Sequence, residues 1–240
     1  MIIWKQLNLK TQIHIDMSNF ILAGLFTEGT TDSRFLLSVV EKTLNEVAYD
    51  CSGDIETALE IININKSGLG FNDQVLEAAK IATEKFGVLL LFVHTDSDAI
   101  DYDIIFQSKI IPAQKVLSEQ DDKYCKNMVA IVPVQMTESW MIADKTLLKE
   151  EIGIEKSDSE LGIHLNPETI TNPKNVIEEI IRISKEDETR RKRNKGLTIS
   201  DLYQIIGQKV DLTELEKLSS YNKFKQSLID KLRELNFYHK

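Results

Sequence analysis

The stretch LLLFVHTDSDA, residues 89–99, turns within a few positions from one of the most apolar runs of the chain into an acidic one. Leu89 to Val93 leave no wet face, which is the pattern of a strand covered on both sides. Asp96 and Asp98 then follow two residues apart, with Asp101 and Asp103 close behind. A buried strand that ends in like charges raises the question of what neutralises them. The neighbouring segments say in what fold they sit.

Upstream, FILAGLFTEG (20–29) reads as a second buried strand, ending at Glu28, and ALEIININ (58–65) as a third. Downstream, MVAIVPVQ (128–135) is a fourth. Between them lie helical patterns. Phe35, Leu36, Val39, Val40 and Leu44 share one face, with Thr30 or Thr31 as N-cap. Val75, Ala78, Ala79, Ala82 and Phe86 share another, and further helices are predicted around 100–119 and from about Glu138. Solidly apolar strands alternating with amphipathic helices predict an α/β fold, a largely parallel, Rossmann-like sheet covered by helices. Leu7, Leu9, Thr11, Ile13 and Ile15 alternate and add one or two N-terminal strands. After about residue 150 the strand signal stops. NPKNVIEEIIRI (172–183), LTISDLYQII (197–206) and YNKFKQSLIDKLREL (221–235) are helical. The expected organisation is therefore a core over 1–150 and a helical extension over 151–240 packed on it.

Composition narrows the class. The chain has 240 residues, 42% of them hydrophobic, enough for a core without disulfide staples. Its two cysteines, Cys51 and Cys125, form no CxxC pair, which points to a reducing cytoplasm and away from structural zinc. No run of 18 apolar residues and no signal-like N-terminus is present, so a cytoplasmic protein without a membrane span is expected. The net charge of −9 excludes a generic basic nucleic-acid coat. Yet Arg190, Arg191, Lys192, Arg193 and Lys195 fall within six positions, a local patch that attracts phosphate or else a solvated loop.

In open parallel sheets ligands bind beyond the carboxyl ends of the strands, where Glu28, Asp96 and Asp98 all fall. Alternate residues of an extended segment point the same way, so the D-x-D pair is expected to address one object. Like charges this close disfavour one another unless a cation intervenes, and a hard divalent ion such as Mg²⁺ takes a few carboxylates while keeping waters. Asp32, one helical turn after Glu28, is a fourth candidate ligand or a support for Glu28. Lys66, in the turn after the ALEIININ strand, is placed to stabilise charge developing on a phosphate. Lys174 has a similar claim, although Pro173 followed by Lys is also an ordinary helix start. His94, inside the strand, reads as a core histidine.

LFTEGTTD (25–32) followed by FVHTDSDA (92–99) resembles the TOPRIM domain of topoisomerases, primases and nucleases, with its Glu after the first strand and its Asp-x-Asp after a later one. VPVQMTESWMIAD (132–144) and ITNPKNVIEEI (170–180) further resemble stand-alone bacterial TOPRIM-like proteins of the DUF4276 type, related to the nuclease half of OLD-family enzymes. The resemblance spans roughly residues 20–235. It implies Mg²⁺- or Mn²⁺-dependent phosphodiester hydrolysis. Glu28 would be a metal ligand or general acid/base, Asp96 and Asp98 the metal pair, and Glu138 the acid of a second metal site. Glu138 has a plainer reading too, beside Thr137 as a helix cap, with Trp140, Met141 and Leu148 as core.

No GxxxxGK[ST] is present, so the chain has no phosphate loop of its own. By analogy with OLD-type enzymes, which join an ATPase to their nuclease, the expectation is an anti-phage effector served by a separate ABC- or AAA-type ATPase and acting on DNA or RNA. Two other classes compete. One is a non-catalytic TOPRIM-like scaffold that binds the ATPase. The other is a receiver-like phosphoryl acceptor, which requires an acid pair directly after the first strand, where Glu28 has no adjacent second acid.

Overall fold

A computed structural model describes residues 20–99, 101–186 and 196–238. The alternating segment 7–15 and the basic run 190–195 lie outside the described residues. Strands β1 (Phe20–Phe26), β2 (Glu56–Ile61), β3 (Leu90–His94) and β4 (Met128–Ile131) form one all-parallel sheet in the order β2-β1-β3-β4. In chain order the helices are α1 (Thr30–Tyr49), α2 (Phe71–Ile81), α3 (Tyr102–Ile105), α4 (Ile111–Ser118), α5 (Glu138–Met141) and α6 (Lys145–Ile152), followed by α7 (Pro173–Ser184), α8 (Ile199–Lys209), α9 (Leu212–Leu215) and α10 (Ser219–Glu234).

Two-residue periodicity explains why the central strands are apolar throughout. Leu90 and Phe92 join Ile21, Ala23, Leu25, Val129 and Ile131 on one face of the sheet, against α1 and the helices that follow Glu138. Leu91 and Val93 join Phe26, Met128 and Ala130 on the other, against α2 and α4. The sheet is thus covered on both sides, as expected from sequence. The register pairs Phe26 with Val93 and His94 with Ile131, so β1, β3 and β4 end nearly level. Whatever follows each of them emerges at one edge.

Helices on both sides of residue 150 share the first of these cores. Leu148, Ile177, Ile206, Phe224 and Leu228 belong to the cluster that holds Leu90 and Phe92, and α6 itself runs across position 150. Trp140, Tyr221 and Phe224 stack edge-on or tilted at 5.4–6.1 Å, and Phe224 meets Phe92 of the sheet at 5.9 Å. A buried carboxylate fastens the N-terminus of α10. Glu168 accepts hydrogen bonds from Ser219 N (3.0 Å), Ser219 Oγ (2.7 Å) and Ser220 N (2.8 Å), where the helix dipole favours negative charge. Trp140 Nε1 donates to the Ser220 hydroxyl at 2.8 Å.

Three local expectations are corrected. Helix α1 begins on Gly29 as N-cap, with Thr30 already helical and no side-chain cap. Phe86 does not share the buried face of Val75, Ala78, Ala79 and Ala82, because α2 widens into a π-helical turn at Ala82–Phe86 that rotates position 86 outward, 38% exposed. The helical stretch around 100–119 is likewise interrupted, by a π turn at Phe106–Ile110.

Helix α8 lies directly on the backbone of α1. A Cβ at Gly207 would stand 2.5 Å from Phe35 O and 2.9 Å from Phe35 Cα, both main-chain atoms that cannot swing away. Alanine ordinarily stabilises a helix over glycine by about 1 kcal/mol, while overpacking costs about 1–3 kcal/mol. Gly207→Ala is therefore expected to lower unfolding free energy by up to about 2 kcal/mol in chemical denaturation. A gain in stability would contradict the close approach.

Candidate functional site

The strand order places β1 and β3 side by side with chain connections that leave in opposite directions, the switch point at which open α/β sheets bind ligands. Beyond β3 the chain stays paired with the segment after β4. Thr95 N donates to Ile131 O (3.2 Å), Ser97 N to Pro133 O (3.2 Å) and Asp98 N to Gln135 O (2.9 Å). This ladder carries Asp96 past the end of the sheet and brings Thr137 to it.

Asp32, His94 and Asp96 each offer one ligating atom, and these atoms lie within 4.8 Å of one another. Asp96 is held through one oxygen. Its Oδ1 accepts from Thr137 N at 2.9 Å and Thr137 Oγ1 at 3.3 Å, and lies 3.3 Å from His94 Nε2. Among the described residues no hydrogen bond falls on Oδ2. Thr137 is the N-cap residue of α5, as the sequence suggests, but its hydroxyl goes to Asp96 and His94 and makes no side-chain cap. Asp32, in the first turn of α1, folds its carboxylate back over Gly29, so that a Cβ there would meet Asp32 Oδ2.

His94 is fully buried. Burial by itself would lower the imidazole pKa. The hydrogen bond and charge of Asp96, with the charges of Asp32 and Glu28, outweigh it and raise the pKa above the usual value. The histidine expected in the core is thus in the core and part of the acidic group as well.

Glu28 is exposed, and its carboxylate is outside the three-residue group. Its Oε2 accepts from Thr95 Oγ1 at 2.8 Å, and Lys109 Nζ donates to the same hydroxyl at 3.2 Å. Lys66 lies where sequence put it, after β2. Its ammonium donates to the main-chain carbonyls of Thr27 and Glu28, at 2.6 Å each, 4.9 Å over the Phe26 ring. Burial lowers its pKa, against the charges of Glu28 and Asp32. Lys66 therefore fastens the loop that carries Glu28. A cavity of about 320 Å³ opens beside it, lined by Glu28, Gly29, Thr30, Ser33, Asn63 and Lys66 among others. Another, of about 530 Å³ between residues 143–167 and 214–218, holds none of the candidate residues.

Asp98 does not join the group. Its backbone is left-handed (φ 51°) and its side chain exposed, so the extended geometry needed for both acids of D-x-D to point alike ends before it. Glu138 is buried, outside the group, and accepts a short hydrogen bond from Tyr203 OH of α8. Burial raises its pKa, the tyrosine opposes the rise, and the charges of Asp96 and Asp32 add to it. Lys174 is exposed in the first turn of α7 with no hydrogen bond or ion pair among the described residues. Asp144 caps α6 by accepting from Leu147 N at 3.0 Å. Arg190, Arg191, Lys192, Arg193 and Lys195 lie outside the described residues.

Sequence reasoning did not single out Thr95, Lys109 or Thr137 as Glu28 and Asp96 partners, nor Tyr203. Thr95 and Thr137 flank acids it did name, and that adjacency was the available signal. Tyr203, 65 residues from Glu138, left none.

The donor set fits a divalent ion. Two carboxylates and an imidazole within 4.8 Å suit Mn²⁺ at least as well as Mg²⁺, which favours all-oxygen sites. The raised pKa of Glu138 has a sign. An acid whose folded pKa exceeds its unfolded value contributes stability that is full below the unfolded pKa and is lost as pH rises through the folded one. Glu138→Gln, which keeps an acceptor for Tyr203, is expected to gain stability over wild type as pH rises from 4 to 8. The gain is roughly 1.4 kcal/mol for each unit by which the carboxyl is raised. Parallel pH–stability curves for the two proteins would contradict this. In comparisons with known proteins the chain matches no family model, no curated protein and no solved structure.

Proposed function

We infer that the chain is a Mg²⁺- or Mn²⁺-dependent TOPRIM-type nuclease that hydrolyses phosphodiester bonds of DNA or RNA. The observation that carries this reading is the gathering of Asp32, His94 and Asp96 at the β1/β3 switch point, with Glu28 at the same edge of the sheet. A divalent ion held there would supply an activated water and neutralise charge on the phosphate. Asp96, fixed through Oδ1, offers Oδ2 to that ion. Glu28, held on Thr95, is placed to take or return a proton. Lys66 keeps the Glu28 main chain in place, and the exposed cavity beside it gives a flank of the substrate somewhere to lie. Arg190, Arg191, Lys192, Arg193 and Lys195 form the proposed nucleic-acid contact, joined by Lys174. By analogy with OLD-type enzymes, ATP hydrolysis falls in this reading to a separate ABC- or AAA-type partner, in an anti-phage role. Among the described residues no helix is long and apolar enough to cross a membrane.

Purified protein incubated with Mg²⁺ or Mn²⁺ and plasmid, linear DNA or tRNA, with and without the ATPase, is expected to cleave at least one of them. Asp96→Asn and Glu28→Ala should each lower the rate by about 100-fold or more. Equal behaviour of wild type and both variants on every substrate would refute the nuclease reading.

One observation favours the scaffold reading instead. His94 Nε2, 3.1 Å from Thr137 Oγ1 and 3.3 Å from Asp96 Oδ1, is satisfied without any ion. Calorimetric titration with Mn²⁺ separates the two. A binding heat abolished by Asp96→Asn favours the metal site, and no heat in wild type leaves only the scaffold.

A further inference from the structure

Lys66 was the lysine expected to serve the site, yet its ammonium is held by two main-chain carbonyls. A second lysine approaches Glu28 from a different element, through the hydroxyl of Thr95. Lys109 belongs to the π-helical turn Phe106–Ile110 that joins α3 to α4. In that turn Gln107 and Ser108 face solvent, Ile110 is buried, and Lys109 is half-buried. Single π turns are rare and recur at functional sites. The plain reading is a lysine lying over an aromatic ring, since Nζ stands 5.7 Å from the Phe71 centroid. The hydrogen bonds say more.

An ammonium only donates, so Thr95 Oγ1, 3.2 Å from Lys109 Nζ, must accept from it. The single hydroxyl proton of Thr95 then points away from Lys109. Two acceptors lie within its reach, Glu28 Oε2 at 2.8 Å and Asp96 O at 3.4 Å. The shorter, charge-assisted bond to the carboxylate wins. The chain of donors therefore runs one way, from Lys109 to Thr95 to Glu28. It occupies Glu28 Oε2 and leaves the other carboxylate oxygen outside the relay. Without the ammonium the Thr95 hydroxyl is released to other orientations, and an exposed glutamate has no other side-chain hydrogen bond among the described residues to hold it.

We propose that Lys109 is a positioning residue for Glu28, acting through the hydroxyl of Thr95. What Glu28 does once positioned rests on the nuclease reading, whereas the geometry of the relay does not. Lys109→Met, Lys109→Arg, Thr95→Val, Thr95→Ser and the double variant Lys109→Met/Thr95→Val are compared on the cleaved substrate with Mn²⁺. Crystal structures of wild type and Lys109→Met are determined alongside. Lys109→Met and Thr95→Val should each lower kcat by about 10- to 100-fold, the scale of a misplaced catalytic group, with KM changed less than about twofold. Lys109→Arg and Thr95→Ser, which keep the donors, should recover most of the rate. The double variant should be no slower than the slower single one, because both break the same chain. An unchanged kcat in Lys109→Met, a loss expressed in KM, or additive losses in the double variant would overturn the proposal. If wild type cleaves nothing with either ion, the nuclease reading fails and the crystal structures decide the relay. The Glu28 carboxylate leaving Thr95 in Lys109→Met upholds it, and a carboxylate unmoved from its wild-type place overturns it.

Discussion

The hold on Asp96 at the tip of β3 is the constraint on which the rest of the molecule turns. A carboxylate beside a second aspartate is held in place because the main-chain N–H and hydroxyl of Thr137 converge with the buried His94 imidazole on one of its oxygens. That convergence requires the segment after β4 to run alongside the segment after β3, which in turn requires two short strands to end level. The apolar interior of β3 and β4 is what fixes that register. With side chains buried on both faces, a slip of one residue would exchange the two cores. Packing thus determines where the charges stand.

The helices after residue 150 take part in this placement. They share a core with β3, and α8 contributes Tyr203 to the buried Glu138 beside the acidic group. Glu168, far along the chain, locks α10 and, through Ser220, the indole of Trp140 two residues beyond Glu138. An extension that began as a covering layer therefore reaches the edge of the site through two hydrogen-bonded contacts.

The sheet was legible because burial on both faces leaves an unmistakable trace, as in LLLFV, and strand ends are marked where polarity returns. The same rule puts Glu28 and Asp96 just beyond β1 and β3, where both stand. Asp98 was misjudged because a backbone that turns left-handed after β3 looks no different in sequence from one that stays extended. From sequence Asp32 reads as a fourth ligand or a support for Glu28, and His94 as a core residue alone. Both belong to the acidic group because a helix start and a strand end meet across 62 positions, a distance relation no local pattern encodes. Phe86 and Lys109 both lie within π turns, whose extra residue shifts the helical phase without altering the composition that periodicity reads. Thr137 does occupy the cap position of α5, but a nearby carboxylate and imidazole take its hydroxyl from the helix end.

Anomalous diffraction from crystals grown with Mn²⁺ tests the central claim most directly. A single strong peak within bonding distance of Asp32, His94 and Asp96, with Glu28 near it, is the predicted result. A map without such a peak at saturating Mn²⁺, or a peak confined to the exposed acids Asp98, Asp101 and Asp103, would contradict it.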